Sequence, residues 1–243
     1  MYEGAVNFEK FERKEETAKR DLERFIDLCG HHLMEIYGQY GTGKSRLVHH
    51  LAVQGQELGK KVLYLDTEGG LTEEHIQMLD NYRYVGDELD DLVKEVSKAC
   101  QERSKYDLLI VDSVGHPVYV HYVEMKNLQE QLRSYQILAV IFRDMVRFAR
   151  GIRGEDFGSR SAFSIAVNHT VSEFARLQKP PEEPLSPFGG QIHRVPKLIL
   201  RSEPIDRGDV FRLVTFKARD LPKNKEVARF VPRGKRVGME WKI

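Results

Sequence analysis

The octapeptide Gly38-Gln-Tyr-Gly-Thr-Gly-Lys44-Ser45 constrains this chain more than any other stretch. It fits G-x-x-x-x-G-K-[ST] at every fixed position, and its flanks fit as well. Leu33 to Tyr37 reads as a short strand running in, and Leu47 to Glu57 carries Leu47, Val48, Leu51 and Ala52 at helical spacing running out. Glycines let backbone N–H groups turn towards a phosphate with no Cβ in the way, and the helix N-terminus adds the positive end of its dipole. Gly38, Gln39, Tyr40, Gly41, Thr42, Gly43, Lys44, Ser45 and Arg46 are therefore the expected nucleotide-binding residues. Lys44 is expected on the β- and γ-phosphates and Ser45 on Mg²⁺, which makes ATP and Mg²⁺ the expected cofactors.

The rest of the chain alternates between strand and helix signals. Lys61 to Asp66, Leu108 to Asp112 and Phe163 to Val167 read as strands. Thr72 to Leu79, Leu89 to Arg103 and Arg133 to Gly151 read as helices. Leu108-Leu-Ile-Val111 is apolar on both faces, as a core strand of a parallel sheet is. Lys197 to Ser202, Val210 to Lys217 and Glu226 to Val231 form a strand-rich end. The expectation is an α/β fold: a P-loop core with a mostly parallel central sheet flanked by helices and an antiparallel C-terminal extension. Residues 1–32 form a charged helical segment, with six acidic and six basic residues between Glu9 and Arg24, and residues 33–243 form the core. That segment either packs on the domain behind it or meets a partner.

A phosphate site of this kind needs a carboxylate on the metal at the end of a neighbouring strand. Asp112 and Asp66 both end strands, and the two-faced apolar run before Asp112 favours it as the residue supporting Mg²⁺. Strand C-termini of an open parallel sheet face one crevice. Glu68, just past Asp66, is then placed to orient or deprotonate an attacking water.

Five segments, in order, resemble the RecA/RadA family of recombination ATPases: GTGKSRLVHHLAVQGQ, VLYLDTEGGLTEEHI, LLIVDSV, SIAVNHT and PFGGQIHRVPKLILR. The doubled glycine after Glu68 is similar to that of archaeal RadB paralogues. The resemblance implies a RecA-like core over nearly all of residues 33–243. It implies that Glu68 is the catalytic glutamate, and that Asn168 and His169 match an Asn-Gln pair that senses the γ-phosphate and couples it to a DNA-binding loop. Here His169 stands for the glutamine. His75 falls where relatives place an arginine against the adenine ring. The implied function is a RadA/RadB-like recombinase paralogue in DNA repair by homologous recombination, slowly hydrolysing ATP and binding DNA or a recombinase partner.

Some features depart from that pattern. The first 32 residues are too short for the N-terminal domain of RadA proteins and contain no Phe-x-x-Ala motif. The loops expected to face DNA, Gly115 to Gln131 and Val171 to Pro187, are neutral to slightly acidic, whereas loops that grip phosphates are net basic. Basic charge gathers instead between Lys217 and Lys242, with nine basic and three acidic residues. That stretch is the expected nucleic-acid patch; a second row comprises Arg143, Arg147, Arg150 and Arg153. Lys217-Ala-Arg219 resembles the finger of KaiC-like relatives, which reaches a neighbouring subunit's nucleotide. The resemblance thus also implies self-association through the ATP interface, and an alternative role as a regulatory ATPase with protein partners. A net charge of +1 gives no argument for nucleic acid from bulk charge. Two cysteines, no signal-peptide core and no long apolar run point to a cytoplasmic protein without a membrane partner.

Overall fold

A strand like Leu108–Asp112, apolar at all but its last position, needs cover on both faces. The computed structural model, which describes residues 19–151, 162–170, 195–205 and 209–243, supplies it. The strands are β1 (Leu33–Tyr37), β2 (Val62–Asp66), β3 (Tyr82–Tyr84), β4 (Leu108–Asp112), β5 (Phe163–Asn168), β6 (Leu198–Pro204), β7 (Phe211–Lys217), β8 (Glu226–Arg233) and β9 (Arg236–Trp241). They form one sheet in the order β3-β2-β4-β5-β1-β6-β7-β8-β9. Every pairing from β3 to β6 is parallel, and every pairing from β6 to β9 is antiparallel. The expected α/β fold, mostly parallel with an antiparallel C-terminal extension, is the observed one.

The helices are α1 (Asp21–Cys29), α2 (Lys44–Glu57), α3 (Glu73–Ile76), α4 (Leu89–Gln101), α5 (Gly115–Glu124) and α6 (Leu128–Arg150). Alternate strand residues point to opposite faces, so the sheet separates two cores. Met34, Ile36, Leu108 and Ile110 pack with Leu47 and Leu51 of α2 and with Leu22 and Phe25 of α1. Leu33, Leu109 and Val111 pack with Leu92 and Val96 of α4 and Phe142 and Met145 of α6. Parallel pairing brings the C-terminal ends of β1, β2, β4 and β5 to one edge, which is what gathers the polar strand-end residues there.

Several boundaries differ from the sequence expectations. Gly115–Gln131, read as a loop, is helix α5 followed by the start of α6. Pro117 falls in the first turn of α5, where a missing N–H costs nothing, and Val118 is buried. The helix expected over Thr72–Leu79 is only the short α3. Strands β3 and β9 were not anticipated: one is three residues long at a sheet edge, the other carries Gly238 within it. Asn127 caps α6 by accepting a hydrogen bond from the Glu130 N–H at 2.9 Å, and Gly151, at φ 87°, follows its last turn. The charged stretch before residue 19, the loop Val171–Pro187, Arg153 and most of the Pro-Phe-Gly-Gly segment lie outside the described residues.

Candidate nucleotide site

The turn from Gly38 to Ser45 leaves the C-terminal end of β1 and enters α2. Gly43 has φ 75°, a left-handed conformation that favours glycine. A Cβ there would lie 2.8 Å from Phe230 and 3.1 Å from Phe211. A Cβ at Gly38 would collide with the Ser202 carbonyl oxygen. The Ser202 hydroxyl in turn donates to the Thr42 carbonyl at 2.7 Å, so β6 fixes the loop from behind. Lys44 curls back within the loop, its ammonium donating to the carbonyls of Gly38 at 2.8 Å and Gln39 at 2.7 Å. A cavity of about 360 Å³ opens in front. Lys44, Ser45, Arg46, Glu68, Asp112 and His169 are among the residues that line it.

The two candidate strand-end aspartates lie side by side, Asp66 in register with Asp112, but they do different things. Asp112 lines the cavity and accepts a hydrogen bond from the Tyr64 hydroxyl at 2.6 Å. Burial pushes its carboxyl up to about 6, against the opposing pull of Tyr64. Asp66 faces the turn instead. Its Oδ1 accepts the N–H groups of Glu68 and Gly69 at 2.9 and 2.8 Å, and its Oδ2 accepts from the Tyr82 hydroxyl at 2.9 Å. Asp66 therefore shapes the segment that presents Glu68.

Glu68 is held by two groups from different strand ends. Ser113 donates to its Oε1 at 2.5 Å, and His169 Nε2 lies 2.8 Å from the same oxygen. Burial pushes the Glu68 carboxyl up, yet the hydrogen bond and charge of His169 and the hydrogen bond from Ser113 outweigh it and hold it at about 2. Tyr40 covers His169, ring centroids 4.4 Å apart. Asn168 is wholly buried and reaches the cavity only through its neighbour. Its Oδ1 accepts the His169 N–H at 2.8 Å, and its Nδ2 donates to Glu35 at 2.7 Å.

Ser113, Tyr64 and Glu35 were missed from the sequence. A lone carboxylate within Leu-Met-Glu-Ile-Tyr was the available signal for Glu35: in a strand buried on both faces it must find a partner.

The remaining expected residues sit elsewhere. His75 is buried on α3, edge-on to His49 at 4.8 Å between centroids, with Nδ1 2.5 Å from the Thr72 hydroxyl. It lines a second cavity of about 600 Å³ together with Arg46, Glu73, Glu74, Gly234 and Lys235. Lys217 ends β7, in register with Ile199 near the start of β6, so it lies at the opposite end of the sheet from the P-loop. Its ammonium donates to the Pro196 carbonyl at 2.7 Å. Arg219 is exposed just beyond. In the basic C-terminal stretch, Arg229 pairs with Glu226, Lys235 with Glu74 and Lys242 with Glu240. In the arginine row of α6, Arg143 and Arg147 both contact Asp144. Among the described residues, no helix is long and apolar enough to cross a membrane.

Several known proteins resemble this chain. A family model described as an AAA domain matches residues 33–147. The DNA repair and recombination protein RadA of Methanoculleus marisnigri is 32% identical over 90 residues, covering 33% of this chain and 28% of that protein. The DNA repair protein rhp51 of Schizosaccharomyces pombe is 28% identical over 184 residues, covering 66% of this chain and 46% of that protein. The matches thus span less than half of these relatives' own lengths. Among solved structures, the RadB recombinase superimposes with a TM-score of 0.60 at 19% identity, over 90% of this chain and 96% of that one. At that identity the likeness speaks for the fold.

Proposed function

We propose that this chain, RecA/RadA/RadB-like in sequence and fold, is a Mg²⁺-dependent ATPase of low turnover that acts as a recombinase paralogue in DNA repair. The observation that carries the reading is the convergence of Lys44, Ser45, Asp112 and Glu68, from three separate strand ends, on one cavity. The names of the relatives support the repair role.

The donor set suits the implied groups. Gly38 and Gly43 let the loop lie close against Ser202, Phe211 and Phe230, where a Cβ would collide, and the loop N–H groups with Lys44 would hold the phosphates. Ser45 and Asp112 would hold Mg²⁺. A buried carboxyl at about 6 is costly to ionise alone, and a neighbouring dication relieves that cost. The cation's contribution when bound is to neutralise charge on the phosphates. Glu68, ionised throughout the physiological range, would accept a hydrogen bond from water and orient it. Asn168 and His169 would respond to the γ-phosphate through the contact between His169 and Glu68. Residues 217–242 would supply contacts to DNA or to a recombinase partner, and residues 33–243 would act as the core with 1–32 as an appended segment.

The test is nucleotide binding and ATP turnover, with and without single-stranded DNA at low salt. Lys44→Ala is expected to lose nucleotide binding. Glu68→Gln is expected to bind normally and lose hydrolysis; normal turnover in that variant defeats its assignment. A second reading, a KaiC-like regulatory ATPase with protein partners, is favoured by Lys217-Ala-Arg219. It predicts turnover per subunit that rises with protein concentration and ignores DNA.

A further inference from the structure

We propose that Glu35, in the middle of β1, is a positioning residue for ATP hydrolysis: it fixes the side-chain amide of Asn168 and through it the contact of His169 with Glu68. The proposal rests on the ATPase reading above. Glu35 is not among the residues lining the nucleotide cavity and is 1% exposed. Its Oε1 accepts from Asn168 Nδ2 at 2.7 Å. Its Oε2 is buried with no hydrogen-bond partner among the described residues. A strand interior that keeps a carboxyl under those conditions forgoes the stability that an aliphatic side chain would give there.

The geometry shows what the carboxyl does. An amide can turn over, exchanging its oxygen and nitrogen. Asn168 has one orientation in which Nδ2 donates to Glu35 and Oδ1 accepts the N–H of His169. Ionised, Glu35 can only accept, and together with the His169 N–H that donates to Oδ1 it selects that orientation over the other. The His169 backbone is thereby tied to β1, and its ring is left with Nε2 2.8 Å from Glu68 and 3.0 Å from the Ser113 hydroxyl. A relay of Glu35, Asn168, His169 and Glu68 thus runs from the sheet interior to the cavity. No residue of it other than Glu68 and His169 lines that cavity.

The charge state of Glu35 bears on the relay. Burial raises its carboxyl to about 7, with Asn168 and Lys217 opposing. Lys217 comes from β7. From β6 the in-register neighbour is Ile199, and the nearest cation along that strand, Arg201, is in contact with Glu203. On α6 the buried acid, Asp144, is engaged by Arg143 and Arg147. Above pH 7 the hydrogen bond from Asn168 becomes charge-assisted and stronger.

The test compares wild type with Glu35→Gln and Glu35→Leu in the full chain. Glutamine keeps an acceptor oxygen for Asn168; leucine removes it. Expected for Glu35→Leu is unchanged affinity for a fluorescent ATP analogue with turnover lowered about 10- to 100-fold, the scale of a misplaced catalytic group. Expected for Glu35→Gln is rescue of most of that turnover, without the rise in rate that wild type shows between pH 6 and 8. Equal turnover in wild type and Glu35→Leu overturns the proposal, as does loss of nucleotide binding and turnover together in both variants. A second measurement does not depend on hydrolysis. One side-chain amide pair in the ¹⁵N spectrum, assigned to Asn168 by its absence in Asn168→Ala, should shift with a midpoint near pH 7 in wild type and stay fixed in Glu35→Gln. If that titration occurs but wild type has no ATPase activity, the ATPase reading fails and Glu35 still orients Asn168. If it does not occur, the positioning role fails.

Discussion

Helix α1 precedes the P-loop core in sequence but packs into it, and Phe25→Ala measures how much stability that docking provides. Phe25 is fully buried, packs tilted against Trp241 of β9 at 4.9 Å between centroids, and shares a core with Leu22, Leu47 and Leu51. Asp21, one turn earlier, accepts from Trp241 Nε1 at 2.9 Å and from Gln54 Nε2 at 3.0 Å, so the wall around Phe25 is pinned by hydrogen bonds and collapses little. Truncating a buried phenylalanine in such a wall costs about 3–5 kcal/mol. For a chain of this size each kcal/mol lowers Tm by about 2–4 °C. The expected shift is therefore roughly 6–20 °C in a thermal unfolding curve followed by circular dichroism. Trp241 is the only tryptophan, so its emission reports the same junction. It should move to longer wavelength in the variant at temperatures where binding of an ATP analogue is intact, because nothing in the nucleotide cavity touches Phe25. A Tm within about 2 °C of wild type with unchanged emission would refute the docking argument. A separate early transition for α1 would show residues 1–32 to be an independent appendage.

Gly43→Ala should abolish ATP-analogue binding and lower Tm, because the new methyl meets Phe230 and Phe211 at a left-handed φ; calorimetric titration and a melting curve read both effects. Glu35 gives a pH signature in stability. Its folded carboxyl sits at about 7 against an ordinary 4.5, so between those values the folded state holds more protons than the unfolded state. Wild-type stability attributable to this group therefore falls as pH rises from about 4.5 to 7 and is flat above. The advantage of Glu35→Gln over wild type in urea melts should grow across that window by about 3 kcal/mol at most and then stop growing. For single-stranded DNA, Lys217, Arg229, Arg233, Lys235 and Lys242 are engaged within the chain, leaving at most four of the nine basic residues in 217–242 for phosphates. A plot of log K against log salt should then be no steeper than about −2.8, and a steeper slope would place the DNA surface elsewhere.

How much was legible follows from how local each signal is. The P-loop, the strand into Asp112 and the helix over α6 are each written in a few consecutive residues, through glycine conformation, two-faced apolarity and 3.6-residue spacing. That the core of the sheet is parallel also followed from the βα alternation, whereas the strand order did not. The apolar run before Asp112 singles it out from Asp66, but what Asp66 does instead was not legible, because it depends on the turn N–H groups and on Tyr82 reaching across from β3. Helix α5 was missed because the resemblance implies a DNA-facing loop at Gly115–Gln131, whereas the segment packs as a helix against α6, α4 and β5. The basic C-terminal stretch is legible as a count of charges but not as a surface. Counting charges along a strand ignores what lies beside it, and Glu74, 161 positions before Lys235, supplies part of the neutralising charge. Glu35 combines both lessons. A carboxylate among Leu33, Met34, Ile36 and Tyr37 is anomalous in sequence, but its meaning comes from Asn168, which only the parallel register of β1 with β5 brings within reach. A buried polar residue that breaks an apolar pattern must either cost stability or meet a partner, and here the partner belongs to the chemical site. The anomaly in one strand is therefore the trace, readable in advance, of a buried polar partner in another.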